Sequence, residues 1–173
     1  RGSGRCHRMR PNWVYPMPGE KGVLHVFRQI IVGLDGSEKS KKAAHIACDL
    51  AKHYAGTITL MHVPHAETAE YLFASDAEYD GANPNPTFEE IEEAGQRVID
   101  AGLQIADNMG CTSVNTHMPH GDPATEILAY ADKIEADLIV TGRRGLGGIS
   151  SLVLGSTTQR INHMAKCGCL SVM

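Results

Sequence analysis

Gln29-Ile30-Ile31-Val32-Gly33-Leu34-Asp35-Gly36-Ser37 opens on a short β-branched run and closes on turn residues. A buried strand reads this way, apolar without alternation and bounded by turn formers. Gly36 and Ser37 turn the chain, and Asp35 or Ser37 is placed to cap a helix. Beyond the turn, Ala43, Ile46, Ala47, Leu50, Ala51 and Tyr54 recur at helical spacing as one apolar face. Gly56 follows where a left-handed C-terminal cap is needed. The unit is a strand, a tight turn and a helix.

The same grammar repeats downstream. Thr57 to Val63 reads as a second strand, stopped by Pro64. The polar stretch from His65 to Pro86 reads as a long connection, of the kind that forms flaps or partner surfaces. Thr87-Phe88-Glu89-Glu90 has the form of a capping box, opening a helix with Ile91, Ala94, Val98, Ala101 or Gly102, and Ile105 on one side. Gly110 ends it, and a third strand is expected near 112–118. Gly121-Asp122-Pro123 turns into a helix faced by Ile127, Leu128, Ala131 and Ile134. Asp137 to Thr141 is the fourth strand, a glycine-rich loop runs from Gly142 to Leu154, and a last helix starts near Gly155-Ser156. Cys169 to Met173 closes the chain as a fifth strand. Strands alternating with helices predict an α/β fold, a mostly parallel, doubly wound sheet covered on both faces.

Composition narrows the classes. With 173 residues, 42% of them hydrophobic, the chain supports one well-cored domain. Sixteen basic and twenty acidic residues give a net charge of −4, with no basic stripe for a nucleic-acid backbone. No apolar run approaches the roughly 20 residues that span a bilayer, so membrane insertion is not expected. Five scattered cysteines suit reduced thiols and a cytoplasmic location better than a disulfide framework. Residues 1–27 lack the apolar core of a signal peptide and read as an extension or tag remnant, leaving 28–173 as the domain.

In doubly wound sheets ligands lie beyond the carboxyl ends of the strands, where the winding reverses. Two strand ends carry unusual chemistry: Gly33 to Ser37 after the first strand, and Thr141-Gly142-Arg143-Arg144-Gly145 after the fourth. If these strands are neighbours, the two segments face one another. Asp35 then offers a carboxylate to a ribose hydroxyl, and the glycines let backbone amides approach phosphates. Gly155-Ser156-Thr157-Thr158 is a helix start with amide and hydroxyl donors, which favours an anion by roughly 0.3–1 kcal/mol.

The spacing Gly142, two residues, Gly145, nine residues, Gly155-Ser156 resembles the glycine signature of ATP-binding universal stress proteins. Ile30 to Ser37 resembles that family's first strand and turn, Leu60 to Val63 its second strand, Gly121 to Ile127 its turn into the third helix, and Ala136 to Gly142 its fourth strand. The resemblance implies a Rossmann-like, five-stranded parallel sheet of order 3-2-1-4-5 and a homodimer through the last strand. It also implies ATP as the ligand, with magnesium left open on its phosphates. Gly33, Leu34, Asp35 and Val63 would then surround adenine and ribose, Thr141 and Gly142 would flank the ribose, and Gly145, Gly155, Ser156, Thr157 and Thr158 would hold phosphates. Arg143 and Arg144 either reach the phosphates or are solvated loop charges.

Rival chemistries lack their parts. The loop is not Gly-x-x-x-x-Gly-Lys-[Ser/Thr], and it does not follow the first strand as a dinucleotide fingerprint does. Asp35 as a phospho-acceptor needs an acidic pair and a lysine that are not evident. His62, His65, His117 and His120 match no zinc spacing, and Cys167-Gly168-Cys169 lacks the Cys-x-x-Cys spacing of a redox pair. The expected function is a regulatory protein whose nucleotide occupancy modulates dimer or partner binding, the regulated protein being unknown. The alternative is a slow ATP hydrolase or phosphotransfer enzyme on the same site; no positioned base stands out for it.

Overall fold

The computed structural model describes residues 26–75, 85–146 and 154–173. In chain order the elements are β1 (Gln29–Gly33), α1 (Glu38–Tyr54), β2 (Thr57–Met61), α2 (Ala66–Ser75), α3 (Phe88–Asn108), β3 (Val114–His117), α4 (Pro123–Lys133), β4 (Leu138–Gly142), α5 (Ser156–Met164) and β5 (Gly168–Val172). The strands form one parallel sheet in the order β3-β2-β1-β4-β5. This is the α/β architecture expected above.

β1 is central because it can be buried on both faces. Ile30 and Val32 point into the layer of α1 and α3, and Ile31 points into the opposite layer of α4 and α5. All three are fully buried, each contributing about 1.5–3 kcal/mol. The chain winds from β1 through β2 to β3, then returns to place β4 on the other flank of β1. The reversal therefore falls between β1 and β4. Asp137 fixes the entry to this pair, its Oδ2 accepting from the amides of Arg28 (2.8 Å) and Gln29 (2.9 Å).

The face of α1 differs from the expected one. Ser40, Ala43, Ala44, Ala47, Cys48 and Ala51 are buried, whereas Ile46 is 39% exposed and Tyr54 also lies at the surface. Small side chains let the helix lie close to the sheet, and that closeness selects the stripe over bulk hydrophobicity. The left-handed residue at its end is Ala55 (φ 52°), not Gly56. Gly56 is needed for a different reason: a side chain there would strike the carbonyl of Phe27.

Part of the connection expected from 65 to 86 is helical. α2 packs Ala69 and Phe73 against Ala94 of α3, with Leu72 and Ile91 alongside. Residues 76–84 of that connection, 147–153 of the glycine-rich loop and 1–25 of the N-terminal extension lie outside the described residues. The capping box is formed: Thr87 Oγ1 accepts from the Glu90 amide at 3.2 Å, and Glu90 Oε2 accepts from the Thr87 amide at 2.7 Å. Among the described residues no helix is long and apolar enough to cross a membrane.

Candidate functional site

A cleft of about 580 Å³ opens beyond the carboxyl ends of β1 and β4. Its first wall is the turn after β1. The Leu34 amide donates to the Met61 carbonyl at 2.8 Å. Asp35 Oδ1 accepts from the Ser37 amide (3.0 Å) and hydroxyl (2.6 Å), while Ser37 Oγ accepts from the Ser40 amide (3.2 Å). One serine thus caps α1 and fixes the aspartate. Gly36, at φ +87°, supplies the left-handed residue that this turn requires.

The opposite wall runs from β4 to α5. The Gly155 amide donates to the Arg143 carbonyl (2.9 Å), and the Thr158 hydroxyl donates to the Gly142 carbonyl (2.8 Å). These bonds bring the start of α5 against the end of β4. Gly155 is the N-cap of α5 and supplies no side-chain hydrogen bond, so the first amides of the helix have no side-chain acceptor there.

Of the residues expected at the site, every one but Arg143 lines this cleft. Arg143 turns to the far side of the loop, where its Nη1 lies 2.8 Å from Met173 Sδ. The glycines have separate reasons. A Cβ on Gly142 would stand 3.1 Å from Lys39 and Ser40 backbone atoms in the first turn of α1. A Cβ on Gly145 would overlap Asp35 Oδ2, whereas one on Gly155 would meet nothing closer than 3.5 Å. Close packing thus accounts for both, against the backbone of α1 at Gly142 and against the Asp35 carboxylate at Gly145.

Other lining residues were not foreseen. Glu67 and Thr68 reach the cleft because α2 begins immediately after β2. The signal was present as Ala69, Leu72 and Phe73, at spacings of three and four in a run of helix formers. Asp122 caps α4 and lines the cleft, its Oδ1 accepting from the Thr125 hydroxyl (2.6 Å), the Thr125 amide (2.9 Å) and Arg160 (2.7 Å). The Thr125 hydrogen bonds, with Arg160 beside them, hold this carboxyl below its ordinary 3.8.

His62 lines the same cleft and is 2% exposed. Its Nδ1 lies 2.8 Å from the Leu34 carbonyl, which can only accept, so Nδ1 carries the proton and Nε2 the lone pair. Burial pushes this imidazole below its ordinary 6.5, against the opposing pull of the Leu34 hydrogen bond. Among the described residues no group of three histidine, cysteine or acidic side chains could hold a metal ion. His117 instead stacks on Tyr130 at 4.2 Å. Cys167 and Cys169 pack against the core between the sheet and α4–α5.

The family model described as the universal stress protein family matches residues 27–172. The chain belongs to that family. A universal stress protein of Methanocaldococcus jannaschii is 30% identical over 148 residues, covering 86% of this chain and 83% of its own length. One from Thermus aquaticus is 32% identical over 151 residues, covering 85% and 99%. Among solved structures, universal stress protein UspA of Lactobacillus plantarum superposes with a TM-score of 0.66 at 22% identity, covering 86% of this chain and 99% of its own. A universal stress protein in complex with cAMP gives 0.61 at 21% identity, covering 85% and 97%. The universal stress protein of Archaeoglobus fulgidus in complex with dAMP gives 0.60 at 18% identity, covering 86% and 99%. At these identities the solved structures establish the shared fold, which is the universal stress protein sheet order seen here.

Proposed function

We propose that this universal stress protein binds ATP in the cleft between β1 and β4, and that occupancy of the cleft modulates its association with itself or with a regulated protein. The observation that carries the reading is the meeting, in one cleft, of the Asp35 turn and the uncapped start of α5. Asp35 suits a ribose hydroxyl because its Oδ1 is already fixed by Ser37 and its Oδ2 faces Gly145. The amides of Ser156, Thr157 and Thr158, the hydroxyls of Ser156 and Thr157 and the amide of Gly145 suit phosphates, while Gly155 and the Thr158 hydroxyl shape that wall through their bonds to Arg143 and Gly142. Gly33, Leu34 and Val63 supply the base and ribose wall, Thr141 and Gly142 flank the ribose, and Arg144 stands on the phosphate side. The complexes of family members with cAMP and dAMP support an adenine nucleotide as the ligand class.

Magnesium, in this reading, enters with the phosphates and not on a protein cage. Regulation is favoured over turnover because Asp122 is engaged by Thr125 and Arg160 and Asp35 by Ser37; slow hydrolysis, the alternative on this site, would fall to Glu67 at the start of α2. We take residues 28–173 as the functional unit and residues 1–27 as an extension. The four described cysteines are free thiols, which supports a reducing compartment such as the cytoplasm. Among the described residues β5 is an edge strand paired with β4 alone, which supports a homodimer formed by two such edges. Mass spectrometry of nucleotide released from the purified protein tests the ligand class. An adenine nucleotide is expected; another metabolite filling the cleft would redirect the reading.

A further inference from the structure

Building on that nucleotide reading, we propose that His62 is the positioning residue of the cleft: it sets the Leu34–Asp35 turn against the ligand and makes ligand affinity depend on pH. Leu34 is held through both of its backbone polar groups, by Met61 at the end of β2 and by His62 just beyond it. Its amide donates to Met61, and its carbonyl accepts from His62 Nδ1 at 2.8 Å. The amide of His62 is committed to the His117 carbonyl of β3 at 3.2 Å. A side chain therefore anchors the turn where the strand ladder has run out. The next residue is Asp35, whose Oδ2 faces Gly145 across the cleft.

The other edge of the ring faces α3. A Cβ on Gly95 would stand 3.2 Å from His62 Cδ2, so the imidazole fills the gap between β2 and that helix. Among the described residues, two buried atoms, His62 Nε2 and Glu92 Oε1, have no hydrogen-bond partner. They become complementary when the ring takes a second proton, Nε2 then being a donor and the carboxylate an acceptor. The charged and titratable groups facing the ring are Asp35 from the β1–α1 turn, His65 from the approach to α2 and Glu92 from α3. His120 stands behind Glu92, its Nδ1 3.6 Å from Oε1.

At neutral pH burial keeps the ring uncharged, and Nδ1 holds Leu34. Burial disfavours a charged ring in this gap, so below 6.5 the second proton favours a locally open state in which the imidazole leaves for solvent and releases the Leu34 carbonyl. The folded protein binds this proton less tightly than the unfolded chain does. Stability and ligand affinity therefore both fall as pH drops from 6.5 through the lower folded value.

The test measures ATP dissociation constants from about pH 8 to about pH 5, the range in which histidine titrates, for the full chain and for His62→Asn, His62→Leu and Glu92→Gln. Asparagine keeps a donor near the Nδ1 position and does not titrate, so comparison with it removes the protonation of ATP itself. Expected is equal affinity of wild type and His62→Asn at the upper pH, with wild type weakening about tenfold relative to the variant at the lower, a shift of about 1.4 kcal/mol. His62→Leu, which leaves the Leu34 carbonyl bare, is expected to bind about tenfold more weakly throughout. Glu92→Gln removes an anion that favours the protonated ring in place, so the fall should deepen and continue to lower pH than in the wild type. Imidazole NMR of the wild type, with and without ATP, follows the ring directly and does not depend on how any variant folds. It should show a depressed titration that ATP moves further down. Tight binding with a constant ratio to His62→Asn, or a ring titrating at its ordinary value and unmoved by ATP, overturns the role of His62 alone. Failure of ATP to bind at any pH overturns this role and the nucleotide reading together.

Discussion

The carboxylate of Asp35 occupies the space that a side chain on Gly145 would need. The two residues lie more than a hundred positions apart in sequence, on strand ends that the winding makes neighbours. Gly145→Ala should therefore displace Asp35 and leave the sheet intact. ATP affinity is expected to fall about tenfold or more, about 1.4 kcal/mol, with little change in melting temperature. A loss of stability without loss of affinity would place Gly145 in packing alone.

Gly142→Ala should behave in the opposite manner. Its Cβ would press on backbone atoms of Lys39 and Ser40, which cannot rotate away. Overpacking of this kind costs about 1–3 kcal/mol. Chemical denaturation should show that loss without any ligand present.

Ser37→Ala removes the α1 cap and the hydroxyl hydrogen bond to Asp35 Oδ1, leaving only the bond from the residue 37 amide. A cap of this type contributes about 1 kcal/mol. The variant should lose that much stability and also bind ATP more weakly, because Asp35 keeps one of its two bonds and is held less firmly. Ser37→Thr, which keeps the hydroxyl, should recover most of both.

Thiol reactivity follows burial. Desolvation pushes the Cys48 thiol up to about 12, with Cys111 nearby adding to the rise, and the Cys167 thiol up to about 11. Thiolate, the reactive form, is then scarce at neutral pH. Peptide mapping after brief alkylation of the native protein should find both residues unmodified, and denaturant should expose them. Rapid native labelling of Cys48 would contradict its placement between α1 and the sheet.

Assembly can be read by light scattering at tens of micromolar, with a dimer expected. The edge of β5 brings less apolar surface than its sequence suggests, since Val172 is already buried in its own protomer and Leu170 packs against the same core. Met173 is the exposed one, at 72%. Met173→Glu should weaken the dimer while the nucleotide cleft keeps its affinity. A monomer with and without ATP would refute pairing through β5.

Legibility followed local rules. Strand runs, the Thr87–Glu90 capping box and the Asp122-Pro123 helix start were readable because each is decided by a few adjacent residues. α1 was readable as a helix but not in its rotation. Close packing of alanines against the sheet decided which stripe was buried, and Ile46 lost to them. α2 was missed because its acidic surroundings masked Ala69, Leu72 and Phe73, whose burial depends on α3. In the cleft, glycines were legible by spacing, but their packing reasons were not. The Asp35–Gly145 approach is a tertiary fact, and the direction of Arg143 depends on Met173. His62 was visible as a strand-end histidine, yet only the fold shows that it bonds Leu34.

The most direct measurement is isothermal calorimetry of the purified, nucleotide-free protein with ATP, repeated for Gly145→Ala. Expected for the wild type is one site per chain with micromolar or tighter affinity, about 8 kcal/mol or more of binding free energy, and a clear loss in the variant. No heat and no thermal shift with millimolar ATP would contradict the account.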